Sequence, residues 1–200
     1  MLAATILIHV PLVLVPLLPA APPTRDCQLE VLRLSTIEES TLAEFDAGVH
    51  TYVDLHRRLA RWMSPAQLCD ECGVLGDELR DVIVAARPEA RQGGFFTPQV
   101  AEVLRARIDL ALLHGVAGVA TSLYAPLPGE VGPAVNQPFP MVLGTVQWPS
   151  LVNKLPTLPP ELGYTFWGRD LILVDLPANL VVDVLPEALP EGARPGVIYQ

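Results

Sequence analysis

The sequence predicts an α+β fold in which helices come first and a small β-sheet comes last. Residues 35–124 contain three segments whose apolar residues recur at spacings of three and four, which indicates a bundle-like core of three helices. Residues 163–186 contain short β-type runs separated by turn residues. Residues 125–160 lie between them and are too rich in proline for regular structure. We therefore expect residues 21–200 to form a single domain behind an N-terminal export segment.

The export segment is predicted from residues 1–21, which contain no Asp, Glu, Lys or Arg. Without a polar face, such a stretch does not suit an ordinary core helix of a globular protein. Its apolar length lies between that of a signal-peptide core and that of a membrane span. We favour a signal peptide cleaved after Ala20 and a location in the periplasm. The alternative is an inner-membrane anchor formed by residues 2–19, and both interpretations predict a protein of the bacterial cell envelope.

The first helix is predicted to begin at Ser35, because Ser35-Thr36-Ile37-Glu38 has the form of a capping box. Residues 22–34 would then be a proline-led arm, either a short strand or an extended strap. The helix would run for about seven turns on one buried apolar stripe. The stripe consists of Leu42, Phe45, Val49, Tyr52, His56, Leu59 and Met63.

The second and third helices begin with the same signature, a hydroxyl cap followed by proline. Ser64-Pro65 starts the second, which ends at Arg87-Pro88 and whose stripe includes Leu79, Val82 and Ala86. Thr97-Pro98 starts the third, which extends to about Leu113. The short connection between the first two helices predicts an antiparallel hairpin.

The end of the chain predicts a three-stranded antiparallel meander. Turns are expected at Gly168-Arg169-Asp170 and at Pro177-Ala178-Asn179, and one helical turn is expected near 150–154. A small sheet needs a cover, which we expect the helices to provide. The strands are predicted at residues 164–167, 171–175 and 180–184.

Composition excludes several classes of function. The formal charge is −9 and no run of Lys or Arg exceeds two residues, so nucleic acid is not an expected partner. Half of the chain is apolar, which excludes disorder as a class. Gly93-Gly94 is an isolated glycine pair, and the chain contains neither a G-x-S-x-G elbow nor an H-E-x-x-H pair. We therefore expect no catalytic residue, no metal ligand and no cofactor, and a binding or accessory role with an envelope protein or a small ligand.

Three parts of the chain resemble uncharacterised exported bacterial proteins. They are the segment ARQGGFFTP at 90–98, the helix at 45–59 that contains Tyr52 and His56, and the stretch at 158–183. The resemblance spans most of residues 21–200 and implies export and the strand assignment, but no catalytic residue. The final meander is also similar to the end of periplasmic nickel/cobalt-homeostasis proteins.

The cysteines offer a second candidate chemistry. Cys69-Asp70-Glu71-Cys72 has the CxxC spacing of thiol-redox sites, but the neighbouring carboxylates disfavour a thiolate. A zinc site would need a second pair of ligands at regular spacing. The favoured interpretation is a structural disulfide between Cys27 and Cys69 or Cys72, as expected in an oxidising compartment. The alternative function is a thiol-redox or metal-handling periplasmic protein that uses the Cys69–Cys72 pair.

The candidate binding residues lie in the loop before the third helix and in the first turn of the meander. Arg91, Gln92, Phe95 and Phe96 combine polar donors with aromatic rings, as binding loops do. The favoured alternative is that both phenylalanines fill the gap between the second and third helices. Arg169 is expected to serve its turn and to bridge to Asp175 or Asp183.

Three further polar residues are expected to be structural. His56 lies in the apolar stripe, so we expect a core histidine hydrogen-bonded to a neighbour rather than an anion site with Arg57 and Arg58. Asp175 and Asp183 interrupt the β-runs. We expect them to serve turns, with paired acid/base chemistry as the alternative.

Overall fold

The computed structural model describes residues 25–63, 74–113, 131–140 and 149–191. It confirms the α+β prediction, with helices first and a sheet last. The chain divides into two compact units, Met1–Ser35 and Thr36–Gln200, and the sheet belongs to the second. The helices are α1 (Arg25–Ala60), α2 (Val74–Ala86), α3 (Pro98–Leu113) and α4 (Pro149–Val152), and the strands are β1 (Leu162–Trp167), β2 (Asp170–Asp175) and β3 (Leu180–Leu185).

Helix α1 begins earlier than predicted. It is already helical at Arg25 and runs for 36 residues, so the predicted start at Ser35 is wrong, as is the strand or strap from Arg25 onward. The sequence after Pro23 contains no further Pro or Gly before Gly48, and leucine, glutamate and arginine are strong helix formers. A serine inside such a run costs a helix only a few tenths of a kcal/mol, roughly, so a capping-box sequence does not force a start.

Helices α2 and α3 carry the buried stripes that join them to the core. In α3 the buried residues include Val100, Leu104 and Ile108, which recur every four positions on one face of the helix. In α2 the predicted stripe is out of phase, because Val82 is 43% exposed whereas Ile83 is fully buried. The predicted start of α2 at Ser64-Pro65 lies outside the described residues.

The sheet is the predicted meander, with strand order β1-β2-β3 and both pairs antiparallel. Trp167 pairs with Asp170, so β1 and β2 are joined by a two-residue loop in which Gly168 has φ 58°. Glycine adopts this left-handed backbone without the steric cost of a Cβ, which explains its place in so tight a hairpin.

A β-bulge in β3 decides the direction of one carboxylate. Leu173 pairs with Asp183 but the next residue, Val174, pairs with Val181, so Val182 is an extra residue in β3. The extra residue resets the alternation of side chains along the strand. Asp183 therefore lies on the same face as Leu173, the face that packs against the helices.

The two faces of the sheet have different covers. Leu171, Leu173 and Val182 join the buried residues of the helices in one cluster. On the other face Phe139 packs with Trp167 and its neighbours in a smaller cluster. The prediction that helices alone cover the sheet is therefore wrong: the proline-rich segment 131–140 contributes to the second cover and bonds to β3 through Asn136 N–H and Val181 O at 3.0 Å.

The predicted export segment at 1–20 lies outside the described residues. Among the helices described, none combines the length and the apolar character needed to cross a bilayer.

Candidate functional site

Two buried carboxylates organise the helix-facing side of the sheet. Asp175 is the last residue of β2 and is completely buried. Its Oδ2 accepts a hydrogen bond from the Tyr52 hydroxyl at 2.7 Å and contacts His56 Nδ1 at 2.6 Å. Its Oδ1 accepts the backbone N–H of Ala178 at 2.9 Å, in the turn after the strand. The predicted turn role of Asp175 is confirmed, and His56 is the buried, hydrogen-bonded histidine that the stripe predicted.

Tyr52 stays a hydrogen-bond donor over the whole neutral range. Burial raises the pKa of Tyr52 well above its usual value, and the charge of Asp175 and the hydrogen bond to it raise that pKa further. A phenol whose pKa is raised does not ionise at neutral pH. The hydroxyl therefore ties the middle of α1 to the end of β2.

Asp183 holds the loop between α2 and α3. Its Oδ1 accepts the N–H of Gly93 at 2.8 Å, and its Oδ2 accepts the N–H groups of Phe95 and Phe96 at 2.7 and 2.8 Å. The predicted turn role of Asp183 is wrong, because the bulge turns this residue into the core. A buried carboxylate that accepts several N–H groups is well satisfied, so the loop is fixed in one position.

The two phenylalanines of the loop point to different places. Phe96 is buried and stacks on Phe45 of α1, with ring centroids 6.1 Å apart. Phe95 is only partly buried and meets the Tyr52 ring edge-on at 6.0 Å. Phe96 is buried, as the favoured interpretation predicted, but its ring stacks on α1, and Phe95 is only partly buried.

Arg87 follows α2 and lies against these rings. Its guanidinium carbon is 4.8 Å from the centroid of the Tyr52 ring and 5.7 Å from that of Phe95. Burial lowers the pKa of Arg87, and the negative charges of Asp183 and Asp175 oppose that shift. Within the part of the chain that the structure describes, its buried Nη1 has no hydrogen-bond partner.

Tyr52, Arg87 and Phe95 line an open surface groove of about 620 Å³. The α1 side and the α2–loop side face each other across it, and two arginines, Arg58 and Arg87, lie in it beside Asp54. The lining residues are Gly48, Thr51, Tyr52, Asp54, Leu55, Arg58, Ala86, Arg87 and Phe95.

Only one residue predicted for binding lies in this groove, and it is Phe95. Arg91 and Gln92 are exposed in the same loop but are not lining residues, and Phe96 is in the core. Arg169 donates to the backbone oxygen of Leu189 at 2.9 Å, and its ion pair is with Glu187 rather than with the two buried aspartates, so that part of its predicted role is wrong.

Arg87 and Arg58 line the groove without having been predicted to do so. The sequence places Arg58 only in an alternative anion site with His56 and Arg57, which instead pair with Asp175 and Glu161, and it indicates Arg87 only as a helix end. The signal was present, because Arg87 follows Leu79 and Ile83 at intervals of four and therefore continues the buried stripe. A charged residue on an apolar stripe needs a partner or a functional reason. The out-of-phase assignment of α2 hid that signal.

The cysteine predictions are untouched by these observations. Cys69, Cys72 and the side chain of Cys27 lie outside the described residues. Among the residues described, no group of three or more His, Cys, Asp and Glu could hold a metal ion.

Comparison with known proteins supplies no further identification. No protein-family model, no curated protein and no solved structure matches the chain.

Proposed function

We propose that this protein is a binding or accessory module of the bacterial cell envelope, and that it receives its ligand in the groove between α1 and the 91–96 loop. The observation that carries the proposal is the groove itself. Its walls combine an aromatic ring, Phe95, with two guanidinium groups, a mixture typical of binding surfaces. The envelope part of the proposal rests on the uncharged opening segment.

The rigidity of the groove supports binding. Asp183 fixes the loop that carries Phe95, and Asp175 fixes Tyr52 on the opposite wall. A surface held in place before the ligand arrives loses less conformational entropy on binding. Burying two carboxylates costs free energy of folding, and here the two carboxylates position the two walls of the same groove.

The arrangement favours binding over catalysis. The buried Asp175 is already occupied by Tyr52, His56 and a backbone N–H. Asp183 is similarly occupied by the loop backbone. Neither carboxylate lines the groove, so neither is offered to a ligand there as an acid or base.

Location is tested by fractionating cells that produce the full chain. We expect the protein in the periplasm with Ala21 as its first residue, or in the inner membrane with residues 2–19 retained. Intact mass spectrometry of each fraction distinguishes the two. Full-length protein confined to the cytosol would contradict the envelope proposal.

Use of the groove is tested by a fragment screen on the purified protein, followed by amide chemical shifts. We expect the fragments that bind to perturb α1 around Thr51 and the loop around Phe95. Thr51→Trp fills the groove and should abolish these shifts. Ala106→Trp places the same side chain on an exposed position of α3 and should leave them unchanged. Fragments that bind elsewhere, or none that bind at all, would contradict the proposed site.

A further inference from the structure

We infer that the groove takes an extended segment of a partner protein that carries an acidic side chain. This inference rests on the proposed function and names its ligand. It depends on three observations: an exposed tryptophan in line with the groove, the two arginines that line it, and its open form.

The face of α1 that lines the groove extends beyond the groove toward the end of the helix. Gly48, Thr51, Leu55 and Arg58 line it at spacings of three and four, which places them on one face of the helix. Trp62 follows Arg58 by four residues. Although α1 ends at Ala60, the chain keeps a helical course there, because Trp62 N–H bonds to Leu59 O at 3.0 Å. The line of groove residues therefore continues to Trp62.

Trp62 is 86% exposed, the second largest exposure among the large apolar residues described. Tryptophan and arginine are the residues most enriched at the energetic centres of protein interfaces. Gly48 and Trp62 are 14 residues apart, which corresponds to about 21 Å along a helix. An extended peptide covers that distance with roughly six residues.

The charges favour an acidic segment. Arg57 is engaged, since its Nε and Nη2 bond to Glu161 at 2.6 and 3.0 Å. Arg58 and Arg87 line the groove, and Asp54 is the carboxylate among its described lining residues. Arg58 is exposed, whereas Arg87 lies against the Tyr52 and Phe95 rings and its charge also interacts with Asp183 and Asp175. Two guanidinium groups that line one groove suit a carboxylate, which accepts paired N–H donors.

The open form favours a peptide over a small molecule. Small-molecule sites usually enclose most of the ligand, whereas this groove is open to solvent and is lined along several turns of α1. Extended peptides bind along such surfaces with alternate side chains inward. A membrane surface is the competing occupant for arginines beside a tryptophan, but the groove walls would hold part of this surface away from a flat bilayer.

The test uses two pools of acetylated and amidated octapeptides on the immobilised full-length protein. The two pools differ only at the central position, which is Glu in one pool and Gln in the other. The flanking positions carry the same mixture of apolar and small residues in both. We expect the Glu pool to bind about tenfold more tightly, as for a charge-assisted pair. Arg58→Gln and Arg87→Gln should each reduce this preference, and Trp62→Ala should weaken both pools alike. The matched control is Lys154→Gln, which removes an exposed positive charge outside the groove and should change neither.

The other outcomes overturn the inference in distinguishable ways. Equal binding of the two pools would refute the acidic class while the groove still binds. If neither peptide pool binds but fragments bind in the groove, the proposed function stands and the site is assigned to a small molecule. If neither peptide pool binds but phosphatidylglycerol vesicles bind in a way that depends on Trp62, the surface is assigned to a membrane. If neither peptides nor fragments bind, both the inference and the proposed function are refuted.

Discussion

The two buried aspartates, Asp175 and Asp183, lie on neighbouring strands but are satisfied in different ways. Asp175 is held mainly by two side chains of α1, Tyr52 and His56. Asp183 is held by backbone N–H groups of the 91–96 loop. Side-chain donors can rotate or change tautomer when a partner is lost, whereas backbone N–H groups can be satisfied only if the chain moves. The loop should therefore depend on its aspartate more strongly than α1 depends on its own.

Asp183→Ala should give the largest loss. It leaves the N–H groups of Gly93, Phe95 and Phe96 without their acceptor, and each buried unsatisfied group costs on the order of 1–3 kcal/mol. We expect a loss of about 4 kcal/mol in the free energy of unfolding, measured by urea denaturation. Asp170→Ala removes an exposed bond to Glu187 N–H and serves as the control, with a loss of about 1 kcal/mol or less.

Asp175→Ala should give a smaller loss, of about 2 kcal/mol, because Tyr52 and His56 can reorient. The same denaturation measurement applies, and amide exchange of the 91–96 loop distinguishes the two variants. The loop should become exposed to exchange in Asp183→Ala and should stay protected in Asp175→Ala. A larger loss for Asp175 than for Asp183 would break the comparison.

Tyr52→Phe sharpens the comparison at one bond. It removes a single donor to Asp175 and keeps the ring on which Arg87 lies, so we expect a loss of about 1 kcal/mol at neutral pH. The folded pKa of Tyr52 is raised above its ordinary value of 10.0. Its contribution is therefore complete below that value and is lost as pH rises above it.

The alkaline side of the stability profile provides the check. Stability of the native protein should fall above pH 10, where the unfolded chain ionises Tyr52, and the fall should be shallower in Tyr52→Phe. Burial also raises the pKa of Tyr164, so part of the fall should remain. An unchanged slope in Tyr52→Phe would mean that this hydroxyl is not buried in the folded protein.

Glu161→Gln should have the smallest effect. The hydrogen bond from Arg57 lowers the pKa of Glu161, so its contribution is present above the ordinary value of 4.5 and is lost as pH falls through the lowered folded value. Because the Arg57 side chain is half exposed, solvent screens the pair, and we expect a small loss near neutral pH that disappears in acid. Thermal unfolding of Glu161→Gln and of the wild type, at pH 7 and at pH 3, measures this difference. A difference from wild type that is equally large at both values would point to packing rather than charge.

Local patterns predicted most of the secondary structure. The Thr97-Pro98 signature set the start of α3, and alternation with turn residues set the three strands. These signals act between residues close in sequence, so they can be read without the fold. The predicted start of α1 is the exception, because a capping box is permitted but not required inside strong helix formers.

The candidate site could be predicted only in part. Phe95 was named because aromatics in a loop are conspicuous, but the groove also needs Arg58 and Arg87 from two different helical regions. The position of Phe95 beside them depends on the bulge in β3, which directs Asp183 at the loop. A bulge leaves little trace in an apolar run such as Leu180–Leu185, since every residue of that strand is buried.

The sequence by itself determined the order of the elements, most of their types and the apolar stripes of α1 and α3, because these follow from spacings of a few residues. Only the tertiary structure decided the roles of the two aspartates and the composition of the groove. Tyr52 and Asp175 are 123 residues apart, and Phe95 and Asp183 are 88 apart. Which donor meets which carboxylate over such separations depends on how helix, loop and sheet pack together, and no local pattern contains that information.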